Sequence, residues 1–137
     1  MTLSLSGTLV GVAQVESILG DLQNVSTDAV ELGMGRGILL SQTIVRGNAR
    51  GRPGPRAPNG DFNRSIIGQH QRRGFNVIGQ VGSNAAQARR LELGFTGRDI
   101  LGRYYDQPPY PYLISSYDAV AMAVADQIRE AIREALS

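Results

Sequence analysis

Val81-Gly82-Ser83-Asn84-Ala85-Ala86-Gln87-Ala88-Arg89-Arg90-Leu91-Glu92-Leu93-Gly94 is the stretch from which the rest of the chain takes its order. It begins as the end of a strand. Phe75, Val77 and Val81 alternate with Asn76, Ile78 and Gln80, the two-residue period of a half-buried strand. Gly82-Ser83-Asn84 then supplies a turn, in which Ser83 or Asn84 can cap a helix. Ala85 to Leu93 continues as a short helix that Gly94 ends.

Upstream, Ile66 to Arg72 and Phe75 to Val81 form a hairpin turned at Arg73-Gly74. His70 lies in its first strand, where an exposed or satisfied strand residue is the simple reading. Asn59 to Ile66 reads as a turn and one helical turn, with Phe62 and Ile66 inward. At the start of the chain Leu3, Leu5 and Leu9 alternate with Ser4, Ser6 and Thr8, an edge strand over 2–10. Val12 to Leu22 has the spacing of a short helix. Ser26-Thr27-Asp28, with Glu31 three places after Asp28, opens a longer one over 28–46. That helix carries Gly33-Met34-Gly35-Arg36-Gly37. Each glycine costs about 1 kcal/mol relative to alanine in a helix interior. The three could mark a break, or a smooth strip where another element lies close. A phosphate-cradling loop is the third reading, but no strand precedes them and no lysine-serine pair follows.

Downstream, Phe95 to Tyr112 is rich in Gly, Tyr and Pro, and 104–113 reads as an extended arm. Its tyrosines pack on the domain or a neighbour; a proline ligand for an adaptor domain is the alternative. Ser115-Ser116 caps a final helix over 116–136. There Val120, Val124, Ile128, Ile132 and Leu136 recur on one face, and Asp126, Arg129, Glu130, Arg133 and Glu134 hold the other. These elements give an α+β domain over 1–137: a small antiparallel sheet packed by two long helices, with a long basic loop.

The chain has 137 residues, enough for one domain with a core. It has no cysteine and one histidine, which excludes disulfides, thiolate sites, imidazole clusters and nucleophile–histidine triads. Glu92 and Asp99 are close in sequence, but Arg89 and Arg90 beside Glu92 make a salt bridge the simpler expectation. No acid run has a calcium-loop spacing. The reading is therefore a non-enzyme without catalytic residues, cofactor or metal. No apolar run reaches membrane-spanning length, and Met1 to Ser4 lacks the basic start of a signal peptide. A soluble protein with no membrane partner is expected.

All fourteen basic residues are arginine, a composition that GC-rich coding also produces. Twelve lie in 36–103 against three acids, a balance of +9, while 1–35 carries −4 and 104–137 carries −3. A basic middle between acidic ends suits head-to-tail contact between subunits, or a channel meeting nucleic acid. Arg46 to Gly60 has almost no apolar side chain and reads as a long loop or arm. Arg46, Arg50, Arg52 and Arg56 are its candidate contacts, to a partner's acids or to phosphate. No aromatic residue interleaves with them, so base stacking is not indicated.

Three landmarks in this order resemble a phage family. Ala57-Pro58-Asn59-Gly60-Asp61-Phe62-Asn63-Arg64-Ser65-Ile66 is similar to its "AP-x-x-TG-x-L-x-x-SI" segment. Val81 to Gly94 is similar to "VG-[ST]-N-x-x-YA-x-x-x-E-x-G". Pro108-Pro109-Tyr110-Pro111-Tyr112-Leu113 is similar to an aromatic "P-x-R-P-F-L" before the last helix. The family is the neck and tail-completion proteins of long-tailed double-stranded-DNA bacteriophages, which include the Z-type minor tail proteins. The resemblance covers roughly 26–137. It departs at Asn59-Gly60-Asp61, at Gln87-Ala88 and at Tyr110, and a glycine-rich helix replaces lysine-rich ones.

The resemblance implies a structural virion protein at the head–tail junction, assembled in the host cytoplasm into a ring, hexamer favoured and dodecamer possible. Its partners would be its own copies and the neighbouring connector and tail-tube proteins, with non-specific contact to genomic DNA in the lumen. Arg46, Arg50, Arg52, Arg56, Arg89, Arg90, Glu92, Tyr110 and Tyr112 are the contact residues expected on this reading. A tail terminator ring capping the tail tube is the sister alternative, and a non-specific DNA-binding protein using the arginine loop is the alternative from another class.

Overall fold

A computed structural model describes residues 2–8, 18–52, 54–55 and 60–137, with the backbone alone over 2–8 and 18–21. The alternating patterns at 2–10 and 66–81 become a three-stranded antiparallel sheet. Its strands are β1 (Thr2–Thr8), β2 (Ile66–Arg73) and β3 (Asn76–Ser83), with β3 in the middle. The register sets Leu3 and Gly68 beside Val81, and Leu5 and His70 beside Gly79. β1 is thus an edge strand, as its alternation predicts; residues 9 and 10 lie outside the described residues. The β2–β3 turn falls at Gly74-Phe75, one residue later than expected. Gly74 there has a φ of 60°, and Phe75 is partly exposed in the turn instead of extending the strand.

The two helices expected on either side of Ser26 are one. Helix α1 runs Ile18–Asn48, with residues 12–17 outside the described residues. Thr27 is fully buried inside it and donates its hydroxyl to the Gln23 carbonyl at 2.7 Å, one turn back. Asp28 and Glu31 therefore form no capping box. They reach across to β2 and bind the guanidinium of Arg72, Glu31 at 3.2 Å. Hydrogen bonds to Asp28 and then Glu31 raise the Arg72 pKa above its already high value.

The glycines of α1 are a strip and not a break. Helix α4 (Tyr117–Leu136) lies antiparallel along α1, with Gly33 against Ile128 and Gly37 against Val124. A methyl group on Gly33 would stand 2.5 Å from the Ile128 Cα, and one on Gly37 2.8 Å from the Val124 Cα. The opposite side of α1 meets the sheet in the same manner. Gly68 and Gly79 leave room for Ile38 and Met34, where a methyl group would come within 2.5 and 2.6 Å of their side chains. Small residues on both interfaces let three layers, sheet, α1 and α4, close around one core. Met34, Ile38, Val45, Ile66, Val77, Val81, Val120 and Val124 fill it.

The stretch after β3 turns at 84–87 and forms α3 (Ala88–Leu93), shorter at its start than its sequence suggests. Ser83 Oγ accepts the Ala85 N–H at 3.0 Å, as expected of a turn-stabilising serine. Gly94, at φ 77°, ends α3 with its N–H on the Arg90 carbonyl. Residues 95–107 are not a plain arm. Strands β4 (Phe95–Arg98) and β5 (Tyr104–Gln107) form a second antiparallel hairpin. Helix α2 (Asp61–Ser65) is the expected single turn, with Phe62 buried.

Candidate functional site

The three landmark segments converge on one buried joint at the C-terminal end of α1. Phe62 of α2 meets Tyr112 edge-on, with ring centroids 5.0 Å apart. The Ser65 and Ser83 hydroxyls lie 2.7 Å apart, tying α2 to the end of β3. The Tyr112 hydroxyl donates to the Ala88 carbonyl at 3.3 Å, and the Tyr110 N–H donates to the Leu91 carbonyl at 2.7 Å. At the centre is Glu92, only 2 % exposed. One oxygen accepts the N–H groups of Tyr112 (2.8 Å) and Leu113 (2.9 Å), and the other accepts that of Ile114 (2.9 Å).

Those three donors lead into the 3-10 turn Ile114–Ser116, which Ile114 opens and which runs into α4. A helix start leaves its first N–H groups without internal partners and carries partial positive charge. Glu92 satisfies both needs from twenty residues away. The expected serine cap is not made: the Ser116 hydroxyl donates to the Tyr112 carbonyl and accepts from Asn48 Nδ2 at 2.8 Å. Glu92 is therefore a latch inside the fold and not a contact residue, and its partners are backbone amides in place of Arg89 or Arg90. Tyr112 is likewise fully buried and belongs to the core. Burial first, and the nearby Glu92 charge second, push the Tyr112 phenol up to about 12.

The arginines divide. Arg46 donates from Nε to the Ile66 carbonyl at 3.0 Å, while its own carbonyl accepts Asn63 Nδ2 at 2.7 Å. It holds α1 to the free edge of β2, beside Gln42, whose side chain accepts the Gly68 N–H at 2.8 Å. Its guanidinium is committed to the fold. Arg50 is exposed. Arg52 lies 3.6 Å over the Tyr110 ring and bonds the Gly54 carbonyl at 3.0 Å. With Pro55 fully buried, the described part of the 46–60 loop folds back on the body instead of extending as an arm. Arg56 lies outside the described residues. Arg89 and Arg90 are exposed on α3, Arg90 stacked 3.9 Å over the Phe95 ring. Tyr110 is half-buried, so Arg50, Arg52, Arg89, Arg90 and Tyr110 remain as surface candidates.

Two surfaces had no herald in the sequence reading. The first is the β4–β5 tip. Asp99 Oδ1 accepts the N–H groups of Leu101 and Arg103, both at 2.9 Å, and Oδ2 accepts Arg103 Nε at 2.6 Å. Desolvation pushes the Asp99 pKa up most strongly. The opposing hydrogen bonds from Arg103, Leu101 and Tyr105 together outweigh it, so the net shift is downward. The tip thus ordered presents Ile100, fully exposed, and Leu101, 75 % exposed. The signal for it was the Asp99…Gly102 spacing, with Gly102 at φ 77°. The second surface is a groove on α1, described below.

Among the described residues no three His, Cys, Asp or Glu side chains gather as a metal site, and no helix is long and apolar enough to cross a membrane. The sheet face away from α1 carries Ile67, Gln69, Gln71, Ile78 and Gln80 over shallow hollows. Such amides and aliphatics can bind a surface but offer no acid–base pair. No protein-family model, curated protein or solved structure matches the chain.

Proposed function

We propose that the chain is a structural protein of a phage head–tail junction, which assembles as a ring and joins the packed head to the tail by contact alone. The observation that carries this reading is the convergence of the three resembling segments. Segments separated in sequence by 14 and 13 residues of unrelated character meet at Phe62, Ser83, Glu92 and Tyr112 as one unit. A shared, ordered set of motifs is expected where the residues build one joint together. Paired aliphatic side chains at the β4–β5 tip, Ile100 and Leu101, support an assembling role, because they stand fully and 75 % exposed side by side.

The arginine-loop reading as a DNA-binding protein draws less support. Arg46 is held by Ile66 and Arg52 by Tyr110 and Gly54, which leaves Arg50 as the exposed arginine among the described loop residues without such a contact. Deletion of the gene from its phage tests the proposal. DNA-filled heads and separate tails of normal length are expected. Tails of abnormal length would move the assignment to the terminator ring. Normal infectious particles would remove the protein from the junction.

A further inference from the structure

The middle of α1, 28–39, runs beside the free edge of β2 and leaves a shallow, mostly apolar groove of about 460 Å³. Leu32 and Leu39 form its walls, 49 % and 67 % exposed, and Gly35 forms a floor against which the His70 ring rests. Asp28, Glu31 and Arg36 line its rim. Arg72 answers the first two acids, and Glu134 of α4 answers Arg36 at 3.2 Å, so three carboxylates face two guanidinium groups. The groove is aliphatic inside and acidic by one charge at its border.

The chain carries a shape of the complementary kind. The β4–β5 tip presents Ile100 and Leu101 from a loop already ordered by Asp99, so little freedom is lost on docking. The hairpin and the helix α3 that leads into it, residues 88–107, hold four arginines against three acids, one of which is the buried Glu92. Tip and groove cannot serve each other within one chain as folded, since Ile100 and Leu39 both stand exposed. They also belong to opposite regions of α1. The hairpin springs from the joint near Asn48, and the groove centres on Gly35, thirteen residues or about 20 Å of helix away.

We infer that the groove of α1 receives the Ile100-Leu101 tip of a second copy of this chain. The inference rests on the proposed ring in taking a second copy as the occupant. Tip and groove are different surfaces, so the contact is heterologous, and repeated it closes a ring or extends a filament. A hairpin tip buries less than a stable interface needs, so it acts as the anchor of a wider contact in which Arg89 and Arg90 approach the acidic rim.

The chain has no cysteine, which makes the test direct. Full-length Ile100→Cys and Leu39→Cys are purified separately, mixed and oxidised. The expected product is a disulfide between the two variants, in excess over either variant alone and over a mixture with Ala119→Cys, an exposed α4 position. Without oxidation, Ile100→Glu is expected to weaken self-association roughly 30-fold in sedimentation velocity. Leu39→Arg on the facing copy should restore part of it, and both variants should melt like the parent.

Oligomers that form without the selective cross-link would overturn the tip-in-groove contact and leave the ring standing. A chain that stays monomeric at every soluble concentration would overturn the contact too. The deletion phenotype still judges the junction role in that case.

Discussion

Two stretches of α1 are built from the same kinds of residue and end in opposite states. In its last turns, 41–48, Ser41 and Val45 are fully buried, Arg46 and Gln42 hold the β2 edge, and Asn48 reaches Ser116. Before them, over 25–39, Val25, Leu32 and Leu39 stand about half exposed or more, and Leu32 and Leu39 line the groove. The last turns are a finished core. The earlier stretch presents apolar surface that the inferred second copy would cover. Stability should therefore respond to substitutions at the joint, and association to substitutions at the groove and tip.

The hardest blow to that division would come at Glu92. Replacing it with alanine leaves three N–H groups of the segment leading into α4, those of 112–114, without their acceptor, two of them on fully buried residues. A loss of about 3 kcal/mol or more is expected in urea unfolding, with Glu92→Gln intermediate because its amide oxygen can still accept. A loss under about 1 kcal/mol would mean the joint is not what holds α4, and the contrast between the two stretches would fail.

Next in size is the glycine strip. Gly33→Val places a branched side chain 2.5 Å from the Ile128 backbone, and about 3 kcal/mol of destabilisation is expected as the helices are forced apart. Gly47 lies in the same helix with nothing within 4 Å of an added methyl group, so Gly47→Ala should stabilise by up to about 1 kcal/mol. The opposite signs would locate α1's tight packing at its contact with α4. Equal effects would show that helix propensity, not packing, governs both sites.

Tyr112 sharpens the comparison through pH. Burial, and then the Glu92 charge, push its phenol from the ordinary 10.0 up to about 12 in the fold. A raised folded pKa means that this contribution is intact below pH 10 and is lost as pH climbs toward 12. Roughly 2 kcal/mol should disappear across that window. Tyr112→Phe should lose about 1 kcal/mol at neutral pH, with the bond to Ala88, and should flatten the alkaline slope. An unchanged slope would place its origin elsewhere.

These sites also show where sequence reasoning reached and where it stopped. The hairpin, the edge strand and α4 were legible because their apolar periods of two and three-to-four residues survive any tertiary context. The single run of α1 through Ser26 was not. Thr27 turned its hydroxyl back to Gln23, and Asp28 found Arg72 forty-four residues away, so a local capping pattern served a distant contact. Glu92 was misread for the same reason. Its neighbours in sequence are arginines, but its neighbours in space are the amides of 112–114, and only the fold brings those together. The glycines of α1 left a strip and a break equally open until the position of α4 chose between them. The Ile100-Leu101 tip was missed because a Gly- and Tyr-rich segment masks the four-residue strands that carry it.

The smallest expected effect on stability falls on Arg89 and Arg90. Both are exposed on α3, and the stacking of Arg90 on Phe95 is worth about 0.5–1 kcal/mol at such a site. Charge reversal of the pair to glutamate should therefore leave unfolding within about 1 kcal/mol of the parent. Assembly should suffer far more, because the reversed charges would meet the acidic rim of Asp28, Glu31 and Glu134 on a neighbour. Reversal at Asp28 and Glu31 would also release Arg72 of β2 from α1, so a rescue at the rim is better built on Glu134→Arg, whose lost partner Arg36 is itself part of the rim. If the double reversal assembles as well as the parent, Arg89 and Arg90 are ordinary surface arginines. The groove stretch of α1 then meets the second copy through aliphatic contact alone.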